Sequence, residues 1–249
     1  GQTGQIGQMD QMNQNVDLAD APGEIVTGII SNSAQYLTAD ETGAVTYVMS
    51  DTNNSVKIDS AGTYIITGSC SDGNITVKKN TSGVVLILRD LDLTSSTGAT
   101  LSCNKYSEVK VIVEGTVFLT DGEDPLDEDS ANTDVADAFD GAAIKIKDGA
   151  SVYLTGTGVL NIDASACKNG IKVGNDDEPS LVIDGDLSIN ISAANDAINS
   201  GYDVAILGGT LTIGAGDDGI HALGGLSGAG AGGGPGSLQL FDGGLIAVV

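Results

Sequence analysis

Three aspartates in the second half of the chain are spaced so that a repeating fold would bring them together. Two of them, Asp196 and Asp218, begin copies of a short pattern of Asn or Asp, then Gly or Ala, then Ile. The pattern occurs at Asn169-Gly170-Ile171, Asp196-Ala197-Ile198 and Asp218-Gly219-Ile220. Asp217 directly precedes the third copy, and Asn195 directly precedes the second. Equivalent residues of stacked strands lie about 4.8 Å apart, and carboxylates held that close repel one another unless a cation lies between them.

Calcium is the cation that best suits this arrangement. Ca²⁺ accepts about six to eight oxygen ligands in a flexible geometry, whereas Mg²⁺ requires a strict octahedron and Zn²⁺ favours His and Cys ligands. The sequence therefore predicts a Ca²⁺ site formed by Asp196, Asp217 and Asp218, with Asn195 beside them. In the alternative interpretation the Asp and Asn side chains only form Asx-turns at chain corners, and we favour this for Asn169 alone.

A second acidic region is the segment 121–140, which carries nine carboxylates. It lacks the glycine and terminal glutamate spacing of an EF-hand. Asp140 lies four residues before Ile144, two positions out of register with the aspartate column. One hypothesis is a second Ca²⁺ site formed by Asp137 and Asp140, and the alternative is a solvated acidic insertion.

The residues that follow each repeated Ile form a candidate sugar-binding column. They are Lys145, Lys172, Asn199 and His221. Neighbouring side chains of a strand point to opposite faces, so these residues would face outward where the Ile side chains face inward. The sequence predicts a shallow polar groove beside the ions that contacts a saccharide, with an ordinary solvated face as the alternative.

Apolar residues two positions apart predict the fold. Such pairs recur in each repeat, as at Leu160/Ile162, Leu187/Ile189 and Leu211/Ile213. Upstream, Val85/Ile87 and Leu91/Leu93 predict two further short strands. Gly, Asn and Asp separate the pairs and permit tight corners. We predict an all-β, right-handed, single-stranded parallel β-helix of the pectate-lyase type, with about seven coils and three short strands per coil.

The common spacing of the repeats indicates one domain over residues 24–249, with the acidic insertion at 121–140. Residues 1–23 are rich in Gln and Gly, which is typical of a flexible linker. The chain has no run of about 20 apolar residues, so the sequence predicts no membrane-spanning helix. The three cysteines favour buried thiols over a disulfide framework, with a Cys70–Cys103 bridge as the open alternative.

The charge balance limits the classes of partner. The net charge is −24, from 34 acidic and 10 basic residues, and no Lys or Arg follows Lys172. Nucleic acid is excluded as a partner, because phosphate binding needs clustered cations. An anionic polymer would be repelled unless cations intervene. The chain has no Trp, which favours polar and ionic recognition over stacking on aromatic rings.

The segment from Asp196 to Asp217-Asp218-Gly219-Ile220-His221 resembles polysaccharide lyase family nine, whose members are right-handed parallel β-helices. In that family an Asp on one coil and Asp-Asp-Gly-x-Asp on the next bind the catalytic Ca²⁺. Here His221 replaces the fourth Asp. The family's catalytic base is a Lys on a later coil, and this chain has no Lys after Lys172. The resemblance implies the ion site without the base.

A broader resemblance, over residues 56–222, is to a clostridial family of carbohydrate-binding, lyase-like β-helix proteins. The segments 84–93, 137–145 and 195–201 carry it. It implies a secreted or cell-surface protein that binds plant cell-wall polysaccharides, cellulose and acidic pectic polymers such as polygalacturonate, without cleaving them. The ion positions that it implies are Asp137, Asp140, Asp196, Asp217 and Asp218.

Two other functions remain open from the sequence. One is a pectate-type polysaccharide lyase that acts by calcium-assisted β-elimination, with Lys145 or Lys172 as an unusual base. The other is a structural surface protein in which Ca²⁺ only stiffens the rod. Non-catalytic, calcium-dependent polysaccharide binding is the favoured prediction, and no catalytic residue is assigned.

Overall fold

The protein is all-β in the part that the computed structural model describes. The described residues are 39–123 and 141–222, together with two short C-terminal strands for which the backbone alone is described. The predicted linker 1–23 and most of the predicted insertion, including Asp137 and Asp140, lie outside this part. No helix long and apolar enough to cross a membrane occurs among the described residues.

Twenty strands follow one another in the described part of the chain. They are β1 (Val45–Met49), β2 (Ser55–Ile58), β3 (Gly62–Cys70), β4 (Asn74–Val77), β5 (Val84–Ser95), β6 (Leu101–Cys103), β7 (Glu108–Glu114), β8 (Thr116–Asp121), β9 (Ala142–Ile146), β10 (Ser151–Gly156), β11 (Val159–Ala164), β12 (Asn169–Val173), β13 (Ser180–Ile183), β14 (Ser188–Ala193), β15 (Ile198–Ser200), β16 (Asp203–Ile206), β17 (Thr210–Ala215), β18 (Ile220–Ala222), β19 (Gln239–Leu240) and β20 (Leu245–Val248).

The strands form two sheets in which neighbouring strands are parallel. The larger sheet has 13 strands, in the order β19-β16-β13-β10-β7-β5-β8-β11-β14-β17-β20, with β3 paired to β5 and β1 paired to β3. It curls into a half-barrel. The smaller sheet has seven strands, in the order β18-β15-β12-β9-β6-β4-β2. Consecutive strands along the chain therefore rarely pair with each other, and the ladders join equivalent strands of successive repeats.

The prediction of a right-handed single-stranded parallel β-helix with about seven coils of three short strands is wrong. The structure has two sheets, and one of them curls into a half-barrel. The alternations at Val85/Ile87 and Leu91/Leu93, predicted as two strands, belong to the single 12-residue strand β5. The first part of β5 pairs with β7 and the last part pairs with β8, so that both arms of the larger sheet are continuous through it.

Backbone conformation explains why β5 continues where the sequence predicted a corner. Asp90 has a φ of 45°, in the left-handed region that Asp adopts more readily than most residues. On either side of this residue the partner of β5 changes, from β7 up to the Arg89–Glu114 pair to β8 from the Asp92–Phe118 pair onward. Strand β3 is similarly long, and Gly68, with a φ of 101°, lies at the irregularity in its pairing with β5.

The repeated Ile residues pair as the sequence pattern indicated. Ile144 pairs with Ile171, Ile171 with Ile198, and Ile198 with Ile220, all in the smaller sheet. Leu101 and Ile75 extend this ladder upstream. The side chains at 75, 101, 144, 171 and 198 are at most 4% exposed. Each fully buried Ile or Leu contributes about 1.5–3 kcal/mol to stability, so these ladders hold the two sheets together.

Candidate cation-binding corner

Two turns that lead from the larger sheet into the smaller sheet bring the predicted calcium ligands together. One turn joins β14 to β15 and carries Asn195 and Asp196, and the next joins β17 to β18 and carries Asp217 and Asp218. We call these four residues the Asp196 corner. Backbone hydrogen bonds stack the two turns, from Asp217 N to Asn195 O at 3.1 Å and from Ala197 N to Asp218 O at 3.0 Å.

The three carboxylates of the Asp196 corner lie within reach of one ion. One oxygen from each of Asp196, Asp217 and Asp218 lies within 4.8 Å of the others. Asp196 is 3% exposed, whereas Asp217 and Asp218 are exposed. The corner thus combines one buried carboxylate with two that face solvent, which leaves room on the solvent side for further ligands of the ion.

Hydrogen bonds orient the buried carboxylate of Asp196. Its Oδ1 accepts a hydrogen bond from Asp218 N at 3.0 Å, and its Oδ2 accepts one from the side-chain amide of Asn199. An ionised carboxylate has about four acceptor positions, so two remain for a cation. The two protein donors hold the Asp196 carboxylate in its orientation.

Asn169 performs a different task from the aspartates in its column. It is 2% exposed, and its Oδ1 accepts from Asp196 N at 3.4 Å and from Asn195 Nδ2 at 3.5 Å. Its own Nδ2 donates to Gly141 O at 3.2 Å. Asn169 therefore joins consecutive turns by hydrogen bonds, and its oxygen is directed at protein donors.

The outward column that follows the repeated Ile residues is contiguous with the Asp196 corner. Lys145 pairs with Lys172, Lys172 with Asn199, and Asn199 with His221 across the smaller sheet. All four side chains are half-buried. Lys172 Nζ donates to Asn199 Oδ1 at 2.5 Å, and His221 Nδ1 lies 3.0 Å from Asp218 Oδ2. Lys172, Asn199 and His221 thus belong to one hydrogen-bonded network with Asp196 and Asp218.

The column continues beyond the residues that the sequence singled out. Lys145 pairs with Ser102, Ser102 with Thr76, and Thr76 with Lys57. Upstream repeats carry the same position in strands β2, β4 and β6, but they lack the Asn/Asp-Gly/Ala-Ile signal. Alternation within those short strands was the available signal, because Lys57, Thr76 and Ser102 each follow a buried apolar residue.

Basic side chains concentrate on the smaller sheet. Eight of the ten Lys and Arg residues lie on its strands or within two residues of their ends: Lys57, Lys78, Lys79, Lys105, Lys145, Lys147, Lys168 and Lys172. Arg89 and Lys110 lie on the larger sheet. The net charge of −24 therefore conceals one face that is rich in cations. We call these eight lysines the lysine face. The sequence alone did not single them out as a group.

A second cluster of possible ligands was not predicted as a set. Asp121, Glu123 and Cys167 each place a ligand atom within 4.8 Å of the others. We call these three residues the Asp121 corner. Cys167 lies far from Asp121 in the sequence, and the parallel pairing of β8 with β11 brings them together.

The cysteines are free thiols, as the sequence favoured. Cys70, Cys103 and Cys167 are all buried and reduced, so the alternative Cys70–Cys103 bridge is wrong. Cys70 ends a strand of the larger sheet, whereas Cys103 ends a strand of the smaller sheet. Burial raises the pKa of the Cys103 thiol to about 12, which keeps this thiol protonated and unreactive at neutral pH.

Comparison with known proteins assigns the chain to a family. The family described as "Carbohydrate-binding domain-containing protein" matches residues 52–227, so this chain belongs to that family. No curated protein and no solved structure matches the chain. The matched range contains strands β2 to β18, the Asp196 corner and the lysine face. The family indicates a carbohydrate-binding protein with a polysaccharide as partner; it gives no support to a relation with polysaccharide lyase family nine.

Proposed function

We propose that the protein binds acidic polysaccharides without cleaving them, and that Ca²⁺ at the Asp196 corner bridges the protein to uronate carboxylates. The observation that carries this proposal is the network that joins Asp196 through Asn199 to Lys172, and Asp218 to His221. A saccharide on the outward column would lie directly beside the ion. Polygalacturonate, the acidic polymer of pectin, has the carboxylate on each sugar that this arrangement needs.

The ligand count of the corner favours a bridging ion. Ca²⁺ takes about six to eight oxygens, and the hydrogen bonds to Asp196 leave it only part of its acceptor capacity. Asp217 and Asp218 supply further oxygens on the exposed side. Positions on the ion therefore remain for water or for a carboxylate of the polymer. Those positions face solvent, on the same side as the outward column.

Electrostatics also support an anionic ligand on this face. A chain with a net charge of −24 repels a polyanion at long range. The lysine face offsets this repulsion locally, because most of the basic residues lie along one sheet. The proposed Ca²⁺ ions neutralise the acidic edge next to it. Cellulose is uncharged, and we propose that it binds the same polar column through hydrogen bonds alone.

The remaining parts of the proposal concern a second ion and the place of action. Asp137 and Asp140 lie outside the described residues and remain proposed ligands of a second Ca²⁺. A protein with a plant cell-wall polysaccharide as its partner would act outside the cell or at its surface. Secretion and attachment to a cell surface are proposed on this ground.

A pectate-type lyase is the second candidate, and one contact favours it. The Nζ atom of Lys172 lies 2.5 Å from Asn199 Oδ1, and the Asn199 amide contacts Asp196. Calcium-assisted β-elimination needs a base close to an ion that holds the uronate carboxylate. Lys172 is the lysine of the column that is joined to the corner by this relay, so it is the residue to test as the base.

Binding to polygalacturonate with and without calcium tests the main proposal. The wild-type chain should be retained on immobilised polygalacturonate in Ca²⁺ and released by a chelator. Asp218→Asn should lose retention, whereas Asp92→Asn should keep it. Asp92 is a matched control because it is an exposed aspartate on the larger sheet. Retention that is indifferent to the chelator and to Asp218→Asn would contradict the proposal.

Ultraviolet absorbance of the same mixtures tests the second candidate. A lyase generates an unsaturated uronate that absorbs in the ultraviolet, whereas a binding protein generates none. If product accumulates with the wild type and disappears with Lys172→Met, the protein is a lyase and the binding proposal is wrong. Binding without product would exclude lyase activity.

A further inference from the structure

The Asp121 corner is a second ligand cluster on the same edge of the fold as the Asp196 corner. Asp121 ends β8, Glu123 follows it after one residue, and Cys167 lies in the turn between β11 and β12. Their two carboxylates and one thiol lie within 4.8 Å of one another. Acidic residues near a cysteine do not by themselves form a metal site, but here one of the carboxylates is also buried.

The Asp121 carboxylate has one oxygen that lacks a hydrogen-bond partner. Asp121 is 1% exposed. The carboxylate accepts from Glu123 N, at 3.0 Å to Oδ1, and from the Cys167 thiol, but its Oδ2 atom is fully buried and has no hydrogen-bond partner in the described part of the chain. An unpaired buried carboxylate oxygen is costly. A bound cation would supply the missing interaction, and the nearby Glu123 and Cys167 are suitable additional ligands.

Burial shapes the protonation of this cluster. Burial raises the pKa of the Asp121 carboxyl. Burial also raises the pKa of the Cys167 thiol, and the charge of the neighbouring Asp121 raises it further. Without an ion, the Cys167 thiol therefore retains its proton at neutral pH. A metal ion that binds Cys167 displaces the thiol proton to solvent, and a sulfur–metal bond replaces the sulfur–hydrogen bond.

We propose that Asp121, Glu123 and Cys167 bind a thiophilic divalent metal ion of the zinc class. Zn²⁺ is bound by cysteine sulfur and by Asp or Glu oxygens, commonly in a tetrahedron. Three protein ligands leave a fourth position for water. Ca²⁺ takes oxygen ligands, and a thiolate selects softer ions. The ion would join the end of β8 to the turn that precedes β12, and so would tie two successive repeats at this edge.

The other two cysteines provide internal controls. Cys70 and Cys103 are buried and free, and neither belongs to a cluster of three possible ligands among the described residues. Cys103 pairs with Val77 and Ile146 in the smaller sheet, which places it in the apolar core. A thiolate band that belongs to the Asp121 corner should therefore survive the loss of Cys103.

Titration of the full, reduced chain with Co²⁺ tests the proposal. Co²⁺ replaces Zn²⁺ in such sites, and a cobalt–thiolate bond gives a charge-transfer band in the near ultraviolet. We expect a band that saturates at about one equivalent, is abolished by Cys167→Ser and is retained by Cys103→Ser. Asp121→Asn should weaken Co²⁺ binding by at least about tenfold. Zn²⁺ should displace the band, and excess Ca²⁺ should leave it in place.

Two outcomes would overturn the proposal, and both are independent of polysaccharide binding. One is the absence of any thiolate band in the wild type, and the other is a band that survives Cys167→Ser. If Cys167→Ser fails to fold, Asp121→Asn decides, because Asn retains an acceptor for the Glu123 N–H. Asp218→Asn should leave the band unchanged, so a failure of the calcium proposal is distinguishable from a failure of this one.

Discussion

The Asp196 corner and the Asp121 corner occupy equivalent positions in the fold but differ in chemistry. Both lie where a strand of the larger sheet leads toward a strand of the smaller sheet. The Asp196 corner offers only carboxylate oxygens, and two of its three acids are exposed. The Asp121 corner is half-buried to buried and includes a thiol. The repeat therefore fixes where ligands gather, and the side chains at each level determine which ion suits them.

Hydrogen bonding is the second difference between the corners. The buried carboxylate of Asp196 accepts hydrogen bonds at both oxygens, whereas the Oδ2 atom of Asp121 has no partner in the described part of the chain. Under the proposal above, the first corner would bind its ion reversibly together with a ligand. The second corner gains more from a permanently bound ion, which is the behaviour of a structural site.

The largest expected effect comes from removing two carboxylates of the Asp196 corner together. The double variant Asp196→Asn and Asp218→Asn should weaken calcium-dependent binding of polygalacturonate by at least about 100-fold, because each lost ligand should cost at least about tenfold. Calorimetric titration of polygalacturonate in Ca²⁺ measures this. The cobalt–thiolate band of the same variant should be unchanged, and its loss would show that the two corners are not independent.

Close stacking of the turns is the next feature to break. A Cβ atom at Gly170 would lie 2.4 Å from Ile191 Cγ2 and 2.6 Å from Ala197 O, so Gly170→Ala should lower the free energy of unfolding by about 1–3 kcal/mol. Thermal unfolding measures it. Gly214→Ala is the control, since its nearest atom, Ile191 O, lies 4.0 Å away. Equal unfolding temperatures for the two variants would refute the need for close stacking beside Asp196.

Lys172 tests whether the outward column belongs to the calcium corner. Lys172→Met removes the donor to Asn199 and one charge of the lysine face, so polygalacturonate binding should weaken by about tenfold, in line with a hydrogen bond to a charged group. Calcium affinity in the absence of polymer should change little. Lys110→Met, which removes a lysine from the larger sheet, should bind as the wild type does. An identical loss in both variants would mean that net charge alone governs binding.

The smallest effect concerns pH and the buried Asp121. Burial raises its pKa in the folded chain above the ordinary value of 3.8, so ionisation of Asp121 destabilises the metal-free fold at neutral pH. Asp121→Asn should therefore unfold at a higher temperature than the wild type at pH 7 in chelator. The difference should shrink as pH falls through the folded pKa and vanish below about 3.8. Scans of Tm against pH measure it, and a difference independent of pH would exclude this cause.

Local sequence patterns predicted the strand register correctly. They did not predict which strands continue into one another to form the sheets. The repeated Ile residues gave the correct register from Ile144 to Ile220, because alternation and turn residues are local signals. The sheets were predicted wrongly because the course of β5 depends on a left-handed Asp90. Asp has this conformation only when its surroundings favour it, so the sequence could not distinguish a bend from a corner.

The two corners differ in how far the sequence could reveal them. Asp196 and Asp218 begin copies of one repeated motif and Asp217 directly precedes the second of them, so aligning the repeats placed the three together. Asp121 and Cys167 share no motif, and their contact depends on the pairing of β8 with β11. The lysine face was missed for a related reason, since its members lie at different positions within and beside five short strands.

Anomalous diffraction from crystals grown with Ca²⁺ tests the central claim most directly. The account predicts a calcium peak bounded by the carboxylates of Asp196, Asp217 and Asp218, with at least one coordination position that faces the column of Lys172, Asn199 and His221. Crystals grown with an oligogalacturonate should place a sugar carboxylate at that position. A corner that stays empty at saturating Ca²⁺, with polymer bound elsewhere, would contradict the account.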